Sequence, residues 1–135
     1  MVKLLGNQLM NFTKMHDEFI HTWNAAMESG DTSSLERMTE DYYVAFFDGA
    51  KDKPAMFNRD ESISGMKQSV NQLLGAKKKF ENRVIRLKDA NHAAVFYELL
   101  IEKDGNVLAR LFTIENWQLI NDKWMLARET EERIN

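Results

Sequence analysis

Glu115 and Arg128 are the residues whose type and spacing first suggest chemistry. Asn121-Asp122 lies between the runs Asn106 to Ile120 and Lys123 to Glu131. A two-residue turn there, counted outward, sets Glu115 opposite Arg128, with Trp117 facing Leu126 beside them. A carboxyl among aromatic side chains is a candidate general base, since desolvation raises its pKa and an adjacent guanidinium lowers it. Two other readings stand: a buried ion pair with no further role, and an Arg128 that holds a ligand's carboxylate. His16 is the second catalytic candidate. It lies four residues after Phe12 and three before Phe19, so it faces inward, either as a reacting group or as a core histidine with one satisfied hydrogen bond.

Asp104-Gly105 supplies a second tight turn, between His92 to Glu102 and Asn106 to Ile120, and sets Phe96 opposite Thr113 and Glu98 opposite Leu111. Alternation then gathers Glu98, Thr113, Glu115, Trp117 and Arg128 on one mixed face with Phe96, Leu100, Leu111, Trp124 and Leu126. The opposite face carries Val95, Tyr97, Leu99, Ile101, Leu108, Phe112, Ile114 and Met125. Both faces are largely apolar, so both need cover. A slip of one residue would exchange the two sets. The mixed face suits a ligand pocket, with Trp23 and Tyr43 adding aromatic lining or simply filling the core. The opposite face is too apolar to leave in water and suits a second copy of the chain, through Val95, Tyr97, Leu99, Phe112, Ile114 and Met125.

These strands follow a helical half. Leu5, Leu9, Phe12, His16, Phe19, Trp23 and Met27 recur at spacings of three and four over residues 2 to 28, and Ser29-Gly30 ends that helix. Ser33 and Glu36 have capping-box spacing for a short second helix over 31 to 38. Asp41 to Phe47 reads as a strand closed by Asp48-Gly49, and residues 50 to 57, with the single proline, form an irregular loop that is either a lid or a plain connection. Asn58 and Glu61 cap a third helix, with Ile63, Met66, Val70, Leu73 and Leu74 as its stripe and Gly75 as its stop. A strand from about Phe80 to Leu87 precedes the three already placed. Three helices in the N-terminal half packed on an antiparallel sheet make an α+β layer.

The 135 residues match one domain, with no internal repeat, and a net charge of -3 gives no footprint for nucleic acid. The absence of cysteine excludes disulfides and thiolate chemistry. Three scattered histidines give no metal-ligand spacing, and no motif calls for a cofactor. No apolar run suits a membrane span or a signal-peptide core, and a cytoplasmic location is expected.

The element order resembles the nuclear transport factor 2-like superfamily, which includes ketosteroid isomerase and SnoaL-type polyketide cyclases. Thr113-Ile114-Glu115-Asn116-Trp117 and Lys123-Trp124-Met125-Leu126 resemble that family's closing hairpin. The resemblance spans essentially the whole chain. It implies a single cone-shaped domain over 1–135, a curved antiparallel sheet, a pocket on the concave face and a homodimer through the convex one. It also implies a pocket for a small, largely apolar ligand, with isomerase-, cyclase- or dehydratase-like acid-base chemistry as one option. The alternative is a non-catalytic dimeric interaction module whose pocket is filled by its own side chains. The isomerase-type aspartate would fall near Ala45-Phe46-Phe47, where Phe46 or Phe47 stands instead, and no His-Asp dyad of the dehydratase type is evident.

Overall fold

A computed structural model describes residues 2–49 and 52–134, with side chains from residue 6 onward. The side chain of Leu5, and Ala50 and Lys51 of the expected lid, lie outside the described residues. Helix α1 (Val2–Ser29) carries its apolar stripe as the spacing predicts from Phe12 onward, where Phe12, His16, Phe19 and Met27 are buried and Trp23 is half-buried. Leu9 is exposed, because the stripe meets the sheet only beyond it. Gly30 closes it in the left-handed region (φ 84°), donating its N–H to Ala26 O at 2.7 Å.

The expected second helix is a single 3-10 turn, Ser33–Leu35, so the chain has two α-helices among the described residues rather than three. The capping-box bonds are not made there. Asp31 accepts the Ser33 N–H, and Thr32 donates to Glu36, so the polar side chains stabilise a turn that drives Leu35 into the core. Strand β1 (Met38–Phe47) begins at once, and β2 (Ala55–Asn58), within the stretch expected to be irregular, pairs with it antiparallel. Helix α2 (Arg59–Gln72) has the full capping box: Asn58 Oδ1 accepts the Glu61 N–H at 2.9 Å and Glu61 accepts the Asn58 N–H at 3.0 Å.

Strands β3 (Lys77–Asp89), β4 (His92–Lys103), β5 (Asn106–Ile120) and β6 (Lys123–Arg133) form a meander, and the sheet order is β2-β1-β6-β5-β4-β3. β1 runs parallel to β6, so the sheet is mixed and not antiparallel throughout. Both tight turns are as expected, with positive φ at Asp104, Gly105, Asn121 and Asp122. Two bulges then alter the register. Glu102 pairs with Val107, but Ile101 pairs with Ala109, leaving Leu108 extra. Trp117 pairs with Leu126, but Asn116 pairs with Arg128, leaving Ala127 extra. Each bulge moves everything beyond it by one residue and so exchanges faces.

Consequently Val95, Tyr97 and Leu99 are buried beneath the helices and cannot form an outer interface. They share the concave face with Leu111, Thr113, Glu115 and Trp117. α1 lies across this face, with Phe19 edge-on to Trp117 at 5.0 Å and Phe12 edge-on to Trp124 at 4.9 Å. Burying each of these rings contributes roughly 2–3 kcal/mol. Among the described residues no helix is long and apolar enough to cross a membrane.

Candidate active site

Glu115 projects from β5 into the interface between sheet and α1, where only 1 % of its surface is exposed. Three donors meet its carboxylate. His16 Nε2 and Trp117 Nε1 reach Oε1 at 2.8 and 2.9 Å, and the Tyr97 hydroxyl reaches Oε2 at 2.5 Å. A third bulge, between the pairs Glu81–Glu98 and Val84–Phe96, places Asn82 at φ 56° and turns Arg83 toward α1. Arg83 donates to His16 Nδ1 at 3.0 Å and to Asp17 at 2.6 Å. A guanidinium can only donate, so Nδ1 accepts and the proton sits on Nε2, aimed at Glu115. Both oxygens of Glu115 are thereby engaged, and the cluster ties α1 to the sheet.

Beside this cluster the helices stand off the sheet. Phe19, Trp23 and Met27 of α1, Gly65, Met66 and Val70 of α2 and the concave face of the sheet enclose a cavity of about 370 Å³. Most of its wall is apolar. Its polar groups are Lys78 from β3, Tyr42 from β1, Tyr97 from β4, Thr113 from β5, and Glu129 and Glu131 from β6, with Glu61, Ser62 and Ser69 on the α2 side.

The strands fix these groups by register. Glu115 pairs with Glu129, and Thr113 with both Tyr97 and Glu131. Lys78 pairs with Ile101 on one side. On the other, Asn24 of α1 holds its backbone, donating to Lys78 O at 3.1 Å and accepting its N–H at 3.0 Å. The ammonium then lies over Trp23, 3.4 Å from the ring centroid.

The electrostatics follow from enclosure. Burial holds the Glu129 carboxyl well above the usual range, and Glu131 and Glu115 push it further up. The Tyr42 hydroxyl, donating to its Oε1 at 2.7 Å, and Lys78 pull the other way. Burial also raises Glu131, opposed by Lys78. Burial lowers the Lys78 amine to about 8, against the pull of Glu131, Glu129 and Glu115. Tyr42 and Tyr97 are both raised, by burial first and then by the neighbouring carboxylates. Thr113 Oγ1 is a different kind of exception. The residue is 1 % exposed, yet its hydroxyl has no hydrogen-bond partner.

Of the expected site residues, Trp23 and Thr113 line the cavity, while Glu115, His16 and Trp117 form the network behind it. The expected Glu115–Arg128 pair does not exist. Beyond the bulge Arg128 points outward, donating from Nε to Asn116 Oδ1 at 3.0 Å, and with Tyr43 it lines a shallow groove on the other face. Glu98 is also on the outer face, accepting from Asn82. Tyr43 is exposed and its neighbour Tyr42 is the inward residue, by simple alternation along β1. Phe46 lines the cavity, so no acid projects from the end of β1. The acids Glu129 and Glu131, the amine Lys78 and the hydroxyl Tyr42 were not expected there. One signal pointed to them: the more uniformly apolar strand face, Val95-Tyr97-Leu99-Ile101, belongs under the helices, and the even register that puts it there carries Glu129 and Glu131 inward.

No family model matches the chain, and no curated protein matches it. Solved structures do. A protein of unknown function with a cystatin-like fold from Nostoc punctiforme superposes with a TM-score of 0.69 at 17% identity, over 90% of each chain. A nuclear transport factor 2-like protein of unknown function from Silicibacter pomeroyi gives 0.66 at 13% identity, covering 93% of this chain and 98% of that one. A proposed ketosteroid isomerase from Parabacteroides distasonis gives 0.60 at 14% identity, over 87% of this chain and 86% of that one. At such identities the likeness is one of fold.

Proposed function

Starting from the nuclear transport factor 2-like fold of this chain, we propose that it binds a small, largely apolar ligand in the 370 Å³ cavity and that Glu129 exchanges a proton with it. The observation that carries this reading is the setting of Glu129. A carboxyl kept above its ordinary range by burial holds its proton at pH values where an ordinary carboxyl has lost it, and Tyr42 fixes one oxygen while no donor among the described residues meets the other. The cavity volume lies within the range of small-molecule sites, which favours binding over a module filled by its own side chains. Glu115 is a positioning residue in this reading, because both its oxygens already accept from the protein, from His16, Trp117 and Tyr97, and it lies behind the cavity wall.

Gly65 offers a clean test. It lies in α2 on the cavity wall, and a side chain added there meets nothing within 4 Å. Gly65→Trp should fill the cavity and abolish saturable binding of N-phenyl-1-naphthylamine, with the circular dichroism unchanged. Retained binding in that variant would place the probe elsewhere. For the chemistry, proton NMR should show deuterium exchange at the α-carbon of 2-tetralone accelerated by the protein, with Glu129→Gln losing about a hundredfold. Equal rates with and without protein would remove the catalytic half of the reading.

The outer sheet face supports a second copy of the chain as partner. Phe96 stacks on Phe112 (5.9 Å, 27°) and, with Ile114 and Val84, leaves an apolar surface between 37 % and 58 % exposed.

A further inference from the structure

We infer that Lys78 captures a carbonyl compound as an imine, the ligand being an aldehyde with an apolar body that fills the cavity. This rests on the ligand-binding reading above and gives it a substrate class.

Three observations converge on it. First, the Lys78 amine is delivered to the cavity by a strand clamped on both sides, to Ile101 and to Asn24, and rests on the face of Trp23. Among the described residues no carboxylate comes within 4 Å of it, so it is not committed to an ion pair. Second, the Thr113 hydroxyl in the same cavity lacks a partner, and a buried donor without one needs an acceptor oxygen. Third, the carboxyls of Glu129 and Glu131 already share the space. A ligand carboxylate would bring a third acid into an enclosed space that already disfavours charge on these two, whereas a neutral carbonyl oxygen adds none. An uncharged carbonyl therefore fits the donors and the acids together.

The chemistry balances with these groups alone. The neutral amine adds its lone pair to the carbonyl carbon; a C–N bond forms, the C=O π pair moves to oxygen, and a proton passes from nitrogen to that oxygen. The carbinolamine then loses water: a protonated carboxyl of Glu129 or Glu131 donates to the departing hydroxyl, the C–O bond breaks, and the nitrogen lone pair closes C=N. The resulting iminium returns its proton to the carboxylate, leaving an imine and one water, with no oxidant or reductant consumed. Burial supports the first step. With the amine lowered to about 8, roughly a fifth of it is neutral at pH 7.4, about 250-fold more than for an ordinary lysine. Glu131, Glu129 and Glu115 oppose that lowering and Trp23 covers the ammonium.

The test is reductive trapping of the intact protein with 3-phenylpropanal and cyanoborohydride, followed by peptide mapping. A single adduct should form at Lys78, at least tenfold above the flanking Lys77 and Lys79, and it should vanish in Lys78→Arg and in Gly65→Trp. The alcohol 3-phenylpropanol, which has no carbonyl, serves as control by displacing N-phenyl-1-naphthylamine from the cavity. Displacement without a selective adduct would overturn the imine and leave ligand binding standing. No displacement by either compound, with adducts spread evenly over the lysines, would overturn both.

Discussion

Glu115 and Glu129 are direct cross-strand partners on β5 and β6, two carboxyl groups set side by side on the concave face of one sheet. Like charges in that arrangement repel, and the fold resolves the conflict unevenly. Glu115 receives three hydrogen-bond donors, while Glu129 receives Tyr42 alone and is held toward its protonated form. In the proposed reading the first acid is structural and the second is the chemical one, which exchanges a proton with the ligand.

Removing a donor from the structural acid should be costly. His16→Leu keeps the apolar stripe of α1 but leaves Glu115 without one of its partners and Arg83 without the acceptor at Nδ1. A loss of about 3 kcal/mol is expected from urea denaturation. Arg128→Ala, which breaks only outward hydrogen bonds to Asn116 and Tyr43, should change stability by no more than about 0.5 kcal/mol.

The chemical acid should leave a mark on stability as a function of pH. The folded protein holds the Glu129 proton at pH values where the unfolded chain has released it. The contribution is thus fully present below the ordinary value of 4.5 and is lost as pH rises through the folded pKa. Glu131 acts in the same direction. Lys78 acts oppositely: between about 8 and its ordinary 10.5 the unfolded chain binds more protons, and stability recovers until the raised tyrosines, Tyr42 and Tyr97, begin to oppose it above 10. Chemical denaturation of wild type against Glu129→Gln should show a difference that grows from pH 5 upward. A constant difference across that range would contradict the assignment.

Thr113 should behave as a group kept for a ligand at the expense of the empty fold. Thr113→Val preserves shape and deletes the unpartnered hydroxyl, and is expected to stabilise the unliganded protein by roughly 1 kcal/mol. The same change should weaken retention of 3-phenylpropanal in the cavity, read by competition with N-phenyl-1-naphthylamine.

Self-association through the outer face predicts a dimer in sedimentation equilibrium at micromolar concentration. Phe112→Lys with Ile114→Lys, both on that face and away from the cavity, should convert it to a monomer of unchanged circular dichroism. A monomer in the wild type would remove this partner.

Helix α1, the Asn58–Glu61 cap and both tight turns were legible because each is a local device: a stripe at helical spacing, two side chains three residues apart, two residues that tolerate positive φ. The pairings next to each turn, Glu102 with Val107 and Ile120 with Lys123, follow directly from it. The site was legible only as far as the first bulge. Leu108 and Ala127 carry no turn signal, since a bulge answers to the curvature of the whole sheet and to what packs against it. Counting through them turned Arg128 inward and Glu129 outward. His16 survived the error because its place depends on helical periodicity alone. The second helix failed for a related reason: Ser33 and Glu36 match a cap, but the distance from Leu35 to the start of β1 leaves room for one turn only.

The extra residue at Ala127 also separates two alphabets along one strand. Before it, β6 presents Trp124 and Leu126 inward; after it, Glu129 and Glu131. Deleting that single residue would make Leu126 and Arg128 consecutive, so the pairs Trp117–Leu126 and Asn116–Arg128 would join in one regular ladder with Glu129 and Glu131 still inward. The reverse change is the consequential one: were Ala127 kept but drawn into the ladder opposite Asn116, every later residue would move by one, Arg128 and Thr130 would turn inward and both acids outward.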